Sequence, residues 1–265
     1  MAPPPDFNDY TIIGPPSADK SGGGVDSVIE VQDLSVSYGG RRVVERLSFQ
    51  VRRGEVFGFL GPNGAGKTTT IKALLGLVFP SSGKALLHGL PSMSPASRVK
   101  IGFMPEEATY YRFLTPVELL TFYGEIFGVP RVELARRVDA LLDLVGLTSV
   151  RNKPLSAFSK GMVQKVSLAQ ALVNDPETLI LDEPTTGLDP LAKNQLRHIL
   201  SGLREKGKTV FFSSHELSEV ELISDSVLIL KAGRVLRSGP LREMLQGRGD
   251  RSLEKYFLET VEGVR

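Results

Sequence analysis

The densest chemical signal in the chain is the octet Gly61-Pro62-Asn63-Gly64-Ala65-Gly66-Lys67-Thr68. An apolar run, Gly54 to Leu60, precedes it, and a helical stretch expected over Lys67 to Leu77 follows. Glycines at these spacings let the backbone bend so that successive N–H groups face one anion, and the following helix start reinforces them. Every position of the P-loop pattern is present in the strand-to-helix context it requires. Gly61, Pro62, Asn63, Gly64, Ala65 and Gly66 are therefore expected to cradle nucleotide phosphates. Lys67 is expected to reach the β- and γ-phosphates, the Thr68 hydroxyl to ligate Mg²⁺, and Thr69 to help hold the α-phosphate.

A second constellation, Thr178-Leu179-Ile180-Leu181-Asp182-Glu183, reads as a short buried strand that delivers two acids to its C-terminal edge. Asp182 can hold the metal through water. Glu183 can polarise an attacking water as a general base. Alone, the segment reads more simply as a core strand ending in surface acids; beside a complete P-loop, the catalytic reading gains weight. These two motifs leave kinases, GTPases and helicases open.

Four further features narrow the choice. Phe158-Ser159-Lys160-Gly161-Met162-Val163-Gln164 lies about 20 residues before the acidic strand and resembles the ABC signature loop. Gly187-Leu188-Asp189-Pro190 resembles the D-loop of the same family, and His215, after Phe211-Phe212-Ser213-Ser214, matches its switch histidine. Tyr38, about 23 residues before the P-loop, stands where the family places an aromatic ring against adenine. These motifs occur in family order, and the resemblance to ATP-binding subunits of ABC transporters extends over about Val28 to Gly239. Gly-Pro-Asn-Gly-Ala-Gly-Lys-Thr-Thr-Thr and Phe-Ser-Lys-Gly-Met are most similar to efflux-type members handling drugs, antibiotics or polysaccharides.

The resemblance implies a dimer, of two copies or of one copy and a homologous ATPase, sandwiching two ATP molecules. Ser159 and Gly161 would touch the γ-phosphate held by the opposite subunit, and Asp189 would lie at the dimer interface. His215 would sense the γ-phosphate. ATP and Mg²⁺ are the implied ligands, and a separate integral-membrane permease is the implied partner, which would place the chain peripherally on the cytoplasmic face of the membrane. Export is the implied direction.

This chain departs from the usual Leu-Ser-Gly-Gly-Gln signature at Phe158, Lys160 and Met162. The Q-loop position after Ile-Gly-Phe-Met-Pro holds Glu106 rather than glutamine, so a charged carboxylate replaces a neutral carbonyl near the expected Mg²⁺ site. Efflux-type members often resemble this variant, so Glu106 remains a candidate nucleotide and metal contact. Plainer readings exist for single segments: Ser159 as an ordinary helix cap, His215 as a structural histidine, and Tyr38 as a strand-end residue of the core.

The elements needed to position these residues indicate an α/β fold. Ile29 to Gln32 and Val43 to Val51 alternate like antiparallel strands joined at Gly39-Gly40. Leu134, Val138, Leu141, Leu142 and Val145 recur at helical spacing within a helical stretch from about Thr115 to Gly146. Asp189 and Pro190 form a helix start, with Leu196, Ile199, Leu200 and Leu203 on the buried face. Strands are expected at Thr209 to Phe212 and Ser226 to Leu230. The alternation predicts a P-loop NTPase core with a mostly parallel sheet, an N-terminal antiparallel β layer and an inserted α-helical subdomain. The expected divisions are a disordered tail over 1–27, an ATPase domain over 28–240 with the helical subdomain at about 107–160, and a helical extension over 241–265. In the extension, the apolar stripe Leu253, Tyr256, Phe257 and Val261 is expected to pack on the main domain.

Composition agrees with this class. The 265 residues are 41% hydrophobic and 23% charged, with a net charge of +2 and scattered basic pairs rather than a stripe, so nucleic acid is not an expected partner. The chain has no cysteine, which excludes disulfides and thiolate metal sites. No run approaches the roughly 18 apolar residues of a membrane span, and the Met-Ala-Pro-Pro-Pro-Asp start lacks the features of a signal peptide. An ABC ATPase acting on ribosomes or DNA would show two cassettes or long heptad insertions, and neither occurs. An adaptor that binds ATP without turnover is disfavoured by the retention of Lys67, Glu183 and His215.

Overall fold

The computed structural model describes residues 26–246 and 252–262. The chain starts as a long hairpin, β1 (Ser27–Tyr38) and β2 (Arg41–Arg52), paired antiparallel with Tyr38 opposite Arg41. Apart from Asp26 and Ser27, the expected tail lies outside the described residues, and Ser27 already belongs to β1. β3 (Val56–Leu60) leads into helix α1 (Lys67–Leu74).

The helix expected to reach Leu77 ends three residues earlier. The Leu77 N–H donates to the Lys72 carbonyl at 2.8 Å and the Gly76 N–H to the Ala73 carbonyl at 3.1 Å, with Gly76 at φ 66. This is a Schellman stop, in which a left-handed residue satisfies the last carbonyls. Ser82 and Gly83 open β4 (Ser82–Leu87), which is followed by β5 (Leu90–Pro91) and β6 (Ile101–Met104). The polar start of β4 and the shortness of β5 and β6 hide the strand alternation.

The helical lobe holds α2 (Pro116–Ile126) and α3 (Arg131–Leu144). Thr115 and Glu118 form a reciprocal capping box at the start of α2. The apolar face read from the sequence, Leu134, Val138, Leu141, Leu142 and Val145, is buried. α4 (Lys160–Leu172) returns the chain to β7 (Thr178–Leu181), followed by α5 (Pro190–Glu205), β8 (Thr209–Ser214) and α6 (Leu217–Ile223). β9 (Ser226–Lys231), β10 (Arg234–Pro240), α7 (Leu241–Leu245) and α8 (Leu253–Glu262) complete the described chain.

One sheet has the order β2-β1-β4-β5 and is antiparallel; the other has the order β10-β9-β3-β8-β7-β6 and is parallel except at β10–β9. β3, β7 and β8 are buried along their whole length, as parallel strands covered on both faces must be. Successive side chains feed opposite cores. Phe57 and Phe59 of β3 and Phe211 of β8 enter the layer shared with the antiparallel sheet, where Phe49 stacks on Phe57 and Phe211 at 5.8 and 5.9 Å. Val56, Leu60, Val210, Phe212, Leu179 and Leu181 face the helices and the lobe. In the extension, Leu253 is fully buried and Tyr256, Phe257 and Val261 pack against the same core, as their stripe predicts. No helix among the described residues is long and apolar enough to cross a membrane.

Candidate functional site

Parallel strands bring their C-terminal ends to one edge, and there the chain's reactive residues meet. In register, Leu60 of β3 lies beside Ser214 of β8, Phe212 of β8 beside Leu181 of β7, and Leu181 beside Met104 of β6. The next residues along each strand are Gly61, His215, Asp182 and Pro105.

The loop after β3 turns tightly. Gly66 caps α1 at φ 106, a left-handed conformation that favours glycine. A Cβ at Gly61 would stand 2.6 Å from the Leu230 carbonyl and 3.0 Å from the Ala65 Cβ, so only glycine fits. The Lys67 ammonium folds back into this loop and donates to the Gly61 carbonyl at 2.7 Å and the Pro62 carbonyl at 3.4 Å. It also lies 3.0 Å from Glu183 Oε1. That contact is an ion pair rather than a directed hydrogen bond, because Oε1 is buried with no hydrogen-bond donor aimed at it.

Glu183 has φ 49, unusual for a residue with a side chain. Such a backbone conformation costs about 1–3 kcal/mol and persists only where surrounding contacts enforce it. Its own N–H donates to Ser213 Oγ at 2.9 Å, and its carbonyl accepts from the Thr186 N–H at 3.1 Å. Ser213 Oγ in turn donates to Asp182 Oδ1 at 2.6 Å. Nδ1 of His215 lies 2.8 Å from Glu183 Oε2. Lys67, Asp182, Glu183 and His215 thus form one connected cluster. Ser213 is the member that sequence reasoning missed; its signal was a pair of hydroxyl residues, Ser213-Ser214, ending a strand just before the motif histidine.

The remaining candidates lie outside this cluster. Ser159 is exposed and accepts from the Met162 N–H at 3.3 Å as the N-cap of α4. A Cβ at Gly161 would sit 3.6 Å from Leu188 Cδ2, so the Ser159 loop and the Gly187–Asp189 segment are neighbours. Asp189 is exposed and caps α5 through the Ala192 N–H at 2.8 Å. Tyr38 is 48% exposed at the tip of the first hairpin. The Glu106 carboxylate is exposed; the backbone carbonyl of Glu106 is what the fold holds, accepting from Gln164 Nε2 of α4 at 3.0 Å.

Among the described residues, no group of three or more His, Cys, Asp or Glu forms a metal cage. Mg²⁺ is commonly held by one or two protein oxygens together with phosphates and water. Half-buried Thr68 and buried Asp182 are the protein donors at hand.

A groove of about 470 Å³ runs between the sheet core and the helical lobe, lined by Phe103, Pro105, Tyr110, Tyr123, Phe127 and Gln170 among others. The Tyr110 ring sits edge-on to Tyr123 at 6.4 Å, and its hydroxyl donates to Gln170 Oε1 at 3.4 Å. Burial pushes the Tyr110 phenol up to about 12. Tyr111 and Phe113 project outward, 70% and 74% exposed.

The family profile described as ABC transporter matches residues 44–186. An uncharacterized ABC transporter ATP-binding protein of Synechocystis is 49% identical over 201 residues, covering 75% of this chain and 57% of the relative. The chain therefore spans less than two thirds of that relative. The Nod factor export ATP-binding protein I of Ralstonia nicotianae is 37% identical over 220 residues, covering 82% of this chain and 68% of the relative. A solved ATP binding subunit of an ABC transporter superposes with a TM-score of 0.82 at 35% identity, covering 89% of this chain and all of that one.

Proposed function

This chain belongs to the ABC transporter family of ATP-binding proteins, and from that premise we propose that it binds ATP with Mg²⁺, hydrolyses it, and powers transport through a separate membrane permease. The observation that supports this reading best is the buried convergence of Lys67, Asp182, Glu183 and His215 at the P-loop edge of the sheet. Lys67 binds the β- and γ-phosphates when its ammonium leaves the Gly61 carbonyl. The backbone N–H groups from Gly64 to Thr69 face the phosphates at the start of α1. Thr68 and Asp182 would hold Mg²⁺, which supplies charge neutralisation on the phosphates. Glu183 accepts a proton from the attacking water, and His215 keeps the carboxylate aligned for that step. Tyr38 is assigned to the adenine ring and Glu106 to the edge of the metal site.

Two copies, or one copy and a homologous ATPase, are assigned to a nucleotide sandwich. Ser159, Gly161 and Asp189 then serve the opposite subunit, which accords with the exposure of Ser159 and Asp189 and with their place outside the Lys67 cluster. The permease is assigned to the groove between core and lobe, with Tyr111 and Phe113 at its rim; large exposed rings favour interface centres. This seats the chain on the cytoplasmic face of the membrane. Export is the direction favoured by the likeness to the Nod factor export protein.

Size-exclusion chromatography of Glu183→Gln with ATP and Mg²⁺ tests the sandwich, because blocked hydrolysis prolongs the closed state. A shift from one copy to two on adding ATP is expected. A monomer that carries bound ATP at every protein concentration contradicts it.

A further inference from the structure

The motif histidine is followed by an acid whose contacts no motif explains. Glu216 sits between His215 and α6, and its N–H donates to Ser214 Oγ at 2.9 Å. Its carboxylate is divided. Oε1 accepts from Thr185 Oγ1 at 3.4 Å, two residues beyond Glu183, and Oε2 pairs with the Lys193 ammonium on the first turns of α5. One turn further along both helices, Arg197 Nη1 donates to both carboxylate oxygens of Glu219, at 3.0 and 2.9 Å. Lys193 and Arg197 are four apart on α5, and Glu216 and Glu219 are three apart at the start of α6, so each pair shares a helix face.

The result is a two-rung ion-pair ladder that locks the start of α6 to α5. His215 is anchored at its ring by Glu183, and along the chain by the residue that enters this ladder. α5 begins at Asp189 and Pro190, the segment beside the Ser159 loop.

We propose that Glu216 and Lys193 are positioning residues for hydrolysis: their ion pair ties His215, and through it the Glu183 carboxylate, to the helix that starts at Asp189. This rests on the ATPase reading above. A shift of α5 is thereby delivered to the catalytic carboxylate through one side-chain contact rather than through the sheet. Partly buried pairs suit such a link, since losing one partner leaves the other charge uncompensated. The Arg197–Glu219 rung provides an internal comparison, because it joins the same helices without touching His215 or Thr185.

Steady-state ATP hydrolysis by the full chain tests the proposal. Glu216→Gln keeps the shape of the side chain and removes its charge. It is expected to lower kcat by about tenfold or more, as misplacement of a catalytic group does, with KM changed less than about twofold. Lys193→Met is expected to behave alike, and the reversed pair Lys193→Glu with Glu216→Lys to recover activity relative to either single reversal. Arg197→Met is expected to lower the melting temperature while kcat stays within about twofold. The proposal is overturned by a kcat in Glu216→Gln equal to wild type, by an equal loss in Arg197→Met, or by a reversed pair no better than its singles. Glu183→Gln in the same assay separates the two levels. If wild-type turnover persists in Glu183→Gln, the assignment of Glu183 as the base fails and this inference with it. If turnover needs Glu183 but ignores Glu216, only the positioning role fails.

Discussion

The Lys67 ammonium and the Glu183 carboxylate lie 3.0 Å apart, with side chains 7% and 5% exposed. One comes from the start of α1 and the other from just beyond β7, so the sheet edge and the tight loop after β3 together bring them into contact. Lys67→Ala removes both the cation proposed to bind phosphate and the partner of a buried carboxylate. Binding of a fluorescent ATP analogue should be lost, and thermal unfolding should show destabilisation of about 3 kcal/mol, as for a broken buried pair. Normal affinity in the variant would contradict the role of Lys67.

Glu106→Gln should leave ATP hydrolysis within about twofold of wild type. The carboxylate is exposed, and the contact that fixes this turn is made by the Glu106 backbone carbonyl with Gln164, which the change does not touch. A collapse in kcat would assign the charge itself a part in the reaction.

Much of this architecture was legible because its signals are local. The apolar runs within β3, β7 and β8, the Asp189–Pro190 helix start and the buried stripe from Leu134 to Val145 each announce themselves within a few residues. Lys67, Asp182 and Glu183 were expected from their local motifs, and His215 from the resemblance to the family's switch histidine. Other features were hidden because they depend on tertiary pairing. β6 is four residues long and exists because β7 lies beside it. The Ser213 bridge, the Gln164–Glu106 contact and the α5–α6 ladder join residues 31, 58 and 22–23 positions apart, beyond any local pattern.

Neighbouring tyrosines in the loop before α2 should respond oppositely to truncation. Tyr111→Ala should leave the melting temperature unchanged, because the ring is exposed, while weakening co-purification with the proposed permease partner. Tyr110→Ala removes a ring packed between Tyr123 and Gln170 and should cost about 3 kcal/mol or more. A clear loss of stability in Tyr111→Ala would assign that ring to the fold rather than to docking.

Acid should destabilise the protein partly through His88. Its Nε2 lies 3.1 Å from Thr178 Oγ1, and its Nδ1 is buried without a hydrogen bond, 3.7 Å from Glu177 Oε2. Burial holds the imidazole below its usual pKa; Glu177 and Asp26 oppose that shift, while Arg53 and Lys100 add to it. The unfolded chain therefore binds the proton first as pH falls through about 6.5, and the folded state loses stability from there down to the depressed folded-state value. Melting temperatures at pH ~7.5 and ~5.5 should differ less in His88→Gln than in wild type. An unchanged difference would show that His88 does not contribute.

The central claim is that this sheet edge hydrolyses ATP with Glu183 as the base. Phosphate release from ATP and Mg²⁺ by the purified chain, beside Glu183→Gln, tests it most directly. Wild type should release phosphate continuously, while the variant binds the fluorescent ATP analogue normally and turns over at least about a hundredfold more slowly. Equal rates in the two proteins, or release that persists without Mg²⁺, would contradict it.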